Sequence, residues 1–229
     1  IVSDNLYSCL NTSCNVIYKI MGYQSDSVMI VQPISYSSDS YDSAVINNTN
    51  SVIKNTIDTW YKNNLTSYAS YIADETFCSD RSLNFGSGYL TSVSTTYETY
   101  GRLVDKKIPS LKCIQDNDKF KISNESAKLD YPVALITTDE TSLAGGVFNI
   151  PNSVYYLYNG QYLWTLSPAS FTSSDTFANA WAIDPTGSLY PWGTVDHNFG
   201  IRPVINLRSD VQITKGDGTT LNPYVVSTT

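Results

Sequence analysis

Histidine is almost missing: His197 is the only one in 229 residues. A nucleophile–base–acid triad needs an imidazole base, and this one sits in "VDHNFG", which reads as a loop where a solvated or ligand-facing side chain is expected. Charge is scarce at 15% of residues and leans acidic, with a formal net charge of −7 and a pI near 4.5. Nucleic acid and anionic membrane are therefore not expected as partners, because no basic patch would meet them. No apolar run reaches the roughly 18 residues of a membrane span, and no signal peptide opens the chain. Any membrane attachment is expected through an anchor outside this sequence. The GxSxG, P-loop, HExxH and GxGxxG patterns are missing too; "NFGSGY" has two glycines and no helix after it. "KGDGT" (215–219) offers one carboxylate where a calcium loop needs several, and reads as a tight turn. No cofactor and no catalytic residue is expected.

The four cysteines, Cys9, Cys14, Cys78 and Cys113, allow three disulfide pairings. The sequence-local one joins Cys9 to Cys14 and Cys78 to Cys113. The second bridge would close a loop of about 35 residues and contribute roughly 3–4 kcal/mol in the chain-entropy model. A zinc site is the rival, but it needs ligand pairs two to four residues apart, and one histidine cannot complete it. Disulfides imply an oxidising compartment, hence an extracellular or cell-surface protein.

What is present is aromatic and turn-rich. The chain holds 18 Tyr, seven Phe and four Trp, and 41% of its residues are hydrophobic, enough for one sizeable domain. "VIYKIMGY" (16–23) and "SVMIVQPI" (27–34) read as an N-terminal hairpin within about 6–34. From Ser43 the period changes: Val45, Val52, Ile53, Ile57, Trp60 and Tyr61 predict an amphipathic helix capped by Asp42 or Ser43, with Trp60 in the core. "LTSYASYIAD" (65–74) adds a short helical turn. Regularity fades over 75–125, an irregular insertion flanked by Cys78 and Cys113. Within it Asp80, Arg81 and Arg102 are candidates for internal ion pairs. "YPVALIT" (131–137) reads as a buried strand. "TDETSLAGG" (138–146) reads as a short helix capped by Thr138, with Asp139 and Glu140 at its positive end and Gly145 closing it. Short strands follow: "VYYLY", "YLWTLS", "TFANAWAID", "GSLYPWG", "GIRPVINL" and "VQIT", with "PTG" (185–187) as a turn. Early helices and late irregular strands predict an α+β fold in a single domain, 1–229.

Three phrases in order, "ALITTDETSLAGG", "WTLSP" and "GIRPVINL", resemble C-type-lectin-like domains of the formylglycine-generating-enzyme type. More widely, "CLNTSCNVIYKI", "IDTWYKNNLTSYASYIADETFCSDRSL", "PSLKC", "YPVALITTDETSLAGG" and "GDGTTLNPYVV" resemble an uncharacterised family of exported gut-Firmicutes proteins, over nearly all of residues 6–226. Some of its members carry prepilin-like or lipoprotein-like N-termini. The resemblance implies a lectin-like fold and surface display. It also implies that the segment 169–199 is the ligand-binding face, as in the variable proteins of diversity-generating retroelements. Ala180 and Trp181 would then be scaffold, with Trp181 partly buried, and Phe171, Phe177, Asn179, Tyr190, Trp192, His197 and Asn198 would form the exposed face. The Glu-Pro-Asn and Trp-Asn-Asp motifs of calcium-dependent sugar binding are lacking, and no cysteine follows Cys113 to serve an oxidase. The expectation is a non-catalytic, adhesin-like module with a protein or glycan partner. Tyr and Trp among Ser, Gly and Asn match the composition of binding loops. A self-assembling pilus or surface-layer subunit is the alternative, and a glycan-active enzyme using Asp139 with a distant Asp is third.

Overall fold

The computed structural model describes residues 50–218 apart from 90, 175 and 176, together with 8–9, 21–23, 47 and 222–228. The chain is α+β, with short helices and mostly antiparallel strands. Two short N-terminal strands, β1 (Ser8–Cys9) and β2 (Met21–Tyr23), precede α1 (Val52–Asn64). Ser51 caps α1, its hydroxyl accepting from the Lys54 amide at 3.1 Å. This corrects the expected cap at Asp42 or Ser43: the buried stripe of Ile53, Ile57 and Tyr61 begins only after Ser51. Trp60 is half-buried against the same core, and a 3₁₀ turn, Thr66–Tyr71, follows as expected.

The 75–125 segment contributes more regular structure than its composition suggests. It holds β3 (Phe77–Cys78), β4 (Leu83–Phe85), β5 (Thr95–Tyr97), α2 (Glu98–Tyr100) running into a π-helical stretch (Gly101–Lys106), and β6 (Lys119–Phe120). Strands β4 and β5 join the main sheet, so this is an integral edge rather than an appended loop. The expected Cys78–Cys113 disulfide is present, with a Cα–Cα distance of 5.8 Å. Replacing both cysteines by Ser is expected to cost about 3–4 kcal/mol, read by denaturant unfolding; an unchanged midpoint would mean that the unfolded chain is already held compact. The Cys9–Cys14 pairing lies outside the described residues, as does most of the 6–34 hairpin. Of the latter, β2 pairs with a late strand.

After α3 (Thr138–Leu143) come the longest strands: β7 (Leu163–Thr172), β8 (Phe177–Ile183) and β9 (Leu189–Thr194). They form an antiparallel meander with β9 outermost. β10 (Gly200–Ile201) lies parallel beside the start of β7, and β5 antiparallel beside its end. β11 (Val211–Lys215) and β12 (Tyr224–Thr228) form a separate small sheet with β1, and β3 pairs with β6. The "PTG" turn closes β8–β9 as read, with Gly187 at φ +83°, where an added Cβ would fall 1.9 Å from the Asn152 carbonyl oxygen.

Three expected strands are not ladders. "VYYLY" is a set of turns that sinks Tyr155 and Leu157 into the core. "YPVALIT" is buried but makes only the single Ala134–Val204 bridge, and "GIRPVINL" leaves its ladder after Ile201 because Pro203 lacks an N–H. One core cluster packs α1 on Trp164, Ala182, Phe199 and Ile201; another surrounds Leu163 and Ile183 on the opposite side of the sheet. Trp181 is fully buried in a third cluster with Leu103, Ala169 and Leu189, more deeply than expected.

Candidate functional site

Strand β9 is the outermost strand of its sheet: the 147–148 segment bridges its first residue, Leu189, and among the described residues no strand pairs with its outer edge beyond that. Its side chains alternate: Leu189, Pro191 and Gly193 point inward, Tyr190 is half-buried and Trp192 is 46% exposed. Trp192 meets Phe148 edge-on at 5.5 Å and Tyr190 at 5.7 Å. Tyr190 meets Tyr162 at 5.5 Å, Tyr162 stacks on Phe199 at 4.5 Å, and Phe199 contacts the exposed His197 ring at 5.4 Å. Six rings thus form one connected series, in the offset and edge-to-face arrangements that aromatic quadrupoles favour. Its middle is anchored: Phe199 is buried and rests on Trp164 at 4.5 Å.

Gly193 sets the height of the series. A Cβ there would lie 2.5 Å from Trp164 Cζ3 and 2.9 Å from the Ala180 carbonyl oxygen. The β9 backbone therefore lies directly on the Trp164 indole. Gly193→Ala is expected to cost about 1–3 kcal/mol through overpacking and to shift tryptophan emission, measured by thermal unfolding followed by fluorescence. Wild-type stability and emission would show that β9 can lift without disturbing the rings.

The expected site residues divide in two. Tyr190, Trp192 and His197 belong to the series, and Asn198 is exposed beside it. Phe177 is half exposed at the start of β8, and among the described residues no ring contact joins it to the others. Phe171 and Asn179 are corrections. Phe171 is 2% exposed and packs edge-on against Tyr89, while Asn179 is buried and donates to Ser170 Oγ at 3.1 Å. Both lie in the β7–β8 ladder, where inward residues are covered. Sequence reasoning missed Phe148, Tyr162 and Phe199. Phe148 and Tyr162 lie outside the 169–199 window, and only the fold brings them to β9. Burial first, then the neighbouring Tyr190 and Asp184, raises the pKa of the Tyr162 hydroxyl.

A second concavity of about 430 Å³ lies beside the disulfide, lined by Asp80, Arg102, Lys112, Asp139 and Glu140 among others. Arg102 is its centre. It donates to both Asp139 oxygens, at 3.0 and 2.8 Å, and to Asp80 Oδ2 at 2.7 Å. Burial alone would lower its pKa, yet Asp139 and Asp80 outweigh that and hold it above the ordinary arginine value. The remaining Asp80 oxygen accepts from the Ser82 amide, and Asp139 Oδ1 also accepts from the Ser110 amide. Asp139 thus lies in the first turn of α3, as expected, and also holds this network together. The cap is Thr137, not Thr138, in a reciprocal box with Glu140, while Thr138 turns inward to Thr165 at 2.8 Å. The second expected ion pair is also made, Arg81 to Asp118 at 2.6 Å.

Among the described residues no group of three or more His, Cys, Asp or Glu could hold a metal, and no helix is long and apolar enough to cross a membrane. No family model, curated protein or solved structure matches the chain.

Proposed function

We propose that this protein is an exported, surface-displayed module of C-type-lectin-like fold that binds a protein or glycan through the ring face of β9, without catalysis. The observation that carries the reading is the connected ring series on the outermost strand of the sheet, with Trp192 exposed. Single exposed apolar side chains are ordinary, but contiguous ones rimmed by polar residues mark interaction surfaces. Here the polar neighbours are Asn198, Asp196 and Thr194. Tyr and Trp supply rigid contact area at low entropic cost.

Three further features support the reading. The Thr-capped helix, the Trp164-Thr165 strand and the Gly200–Ile201 strand occur in the order that the lectin-like resemblance implies. The Cys78–Cys113 disulfide fits an extracellular protein. All four oxygens of Asp80 and Asp139 accept hydrogen bonds from Arg102 or backbone amides, leaving neither carboxylate free for acid–base work. One observation favours the structural-subunit reading: Ile108, Leu111 and Ile114, at 66, 63 and 73% exposure, present apolar side chains on the segment before and after the disulfide.

The test is a panel of glycans, mucins and extracellular proteins, probed with wild type and with Tyr190→Ala/Trp192→Ala, folding being checked by circular dichroism. A ligand bound by wild type and lost by the folded variant is the expected result. A ligand bound equally by both would place the site elsewhere, and unfolding of the variant would assign the rings to the core.

A further inference from the structure

The ring series has a sequence context that sets the sign of what it can hold. Between Lys128 and Arg202 the chain contains neither lysine nor arginine, yet it contains six carboxylates. Every ring of the series, from Phe148 to Phe199, comes from that stretch. Two of the carboxylates bracket the rings. Asp184 occupies the β8–β9 turn, close enough for its charge to act on the Tyr162 hydroxyl. Asp196 is exposed beside His197 at the other end. The next cation along the chain, Arg202, is buried and turned inward, donating to the Leu157 carbonyl.

Aromatic faces carry the negative lobe of the ring quadrupole and attract cations within about 6 Å of the centroid. Flanking carboxylates, with no lysine or arginine contributed by the same stretch, strengthen that field. Resting on the ligand-binding reading above, we propose that the β9 ring face binds an extended polypeptide segment carrying arginine or lysine side chains. The extent of the series argues for a polypeptide over a small ammonium compound. Its exposed and half-buried rings, Phe148, Trp192, Tyr190 and Tyr162, follow one another at 5.5–5.7 Å, more track than one ammonium group fills. An extended chain presents same-face side chains about every 6.5–7 Å, so one basic residue meets the exposed Trp192 and the next meets the half-buried Tyr190 and Tyr162. Beyond Leu189, which is bridged to Phe148, no strand among the described residues pairs with the outer edge of β9, and such a chain can lie beside it.

The experiment uses the full chain and a synthetic peptide of alternating arginine and serine, beside its citrulline counterpart, which keeps the shape and loses the charge. Binding is followed by calorimetry at low and at near-physiological salt. The arginine peptide is expected to bind at least about tenfold more tightly than the citrulline peptide, and Trp192→Ala is expected to weaken it about tenfold with net charge unchanged. Asp196→Asn is expected to weaken it about two- to fivefold. Should Trp192→Ala fail to fold, Trp192→Gln replaces it. Equal binding by the Trp192 variant would overturn the proposal, because the attraction would then be that of any acidic surface. Equal binding of the citrulline peptide would overturn it too. If the arginine peptide does not bind while a neutral ligand from the panel binds and is lost on Trp192→Ala, the basic-segment proposal falls and the binding face stands.

Discussion

Arg102→Met is expected to destabilise the fold by about 3–5 kcal/mol, the range for removing one partner of a buried ion pair. The loss comes less from the attraction removed than from what is left behind. Asp139 and Asp80, both largely buried, would face each other without the guanidinium that separates them. Asp139 would keep its hydrogen bond from the Ser110 amide, and the segment after the π-helical turn would stay attached there, at the Ile108 amide and at the disulfide. Denaturant unfolding measures the effect. Neutralising both carboxylates in the same chain, with Asp80→Asn and Asp139→Asn, should recover part of the stability. A loss below about 1 kcal/mol for Arg102→Met, in the range of an exposed pair, would mean that water reaches the network freely.

Trp181→Ala carries a comparable penalty for a different reason. The indole is fully buried between Leu103, Ala169 and Leu189, with Tyr100 at 6.1 Å. Emptying that volume is expected to cost about 3–5 kcal/mol. The residue has a second property that separates shape from chemistry: its Nε1–H finds no acceptor among the described residues. An unsatisfied buried donor is itself unfavourable by about 1–3 kcal/mol. Trp181→Phe removes the donor along with part of the ring, so it should cost much less than Trp181→Ala, with the two compared by thermal unfolding. Equal losses would show that the indole nitrogen is satisfied after all, by water or by the residues around it.

The sequence carried the local chemistry well where a signal is short-range. The four-residue spacing of Ile53, Ile57 and Tyr61, the "PTG" turn, the Asp139-Glu140 helix start and the Cys78–Cys113 loop were all legible, because each depends on neighbours along the chain or on one closure. Two boundaries shifted. Ser51 caps α1 because it directly precedes the buried stripe, and Thr137 caps α3 because Thr138 is drawn inward by Thr165. Composition hid the strands in 75–125: Ser- and Thr-rich stretches pair readily when they border an existing sheet, and β5 finds the end of β7.

The site was legible only in part. The lectin-like resemblance put seven residues of 169–199 on one face, and of these Tyr190, Trp192 and His197 join the ring series. It failed for Phe171 and Asn179, since they lie on β7 and β8, which have neighbours on both edges and cores on both faces. Phe148, Tyr162 and Phe199 could not be assigned to the face from spacing. Phe148 follows α3, Tyr162 precedes β7 and Phe199 precedes β10, and only the parallel pairing of β10 with β7 puts the last two in contact.

The comparison of two exposed aromatics tests the central claim most directly. Phe177 and Trp192, at 50 and 46% exposure, offer similar apolar surface, but only Trp192 belongs to the ring series. Affinity for a ligand found by the panel would be measured for wild type, Phe177→Ala and Trp192→Ala by surface plasmon resonance. The account predicts that Trp192→Ala lowers affinity by about tenfold or more while Phe177→Ala stays within about twofold of wild type. Loss on Phe177→Ala with Trp192→Ala unaffected would contradict it and move the binding surface to the β7–β8 end of the sheet.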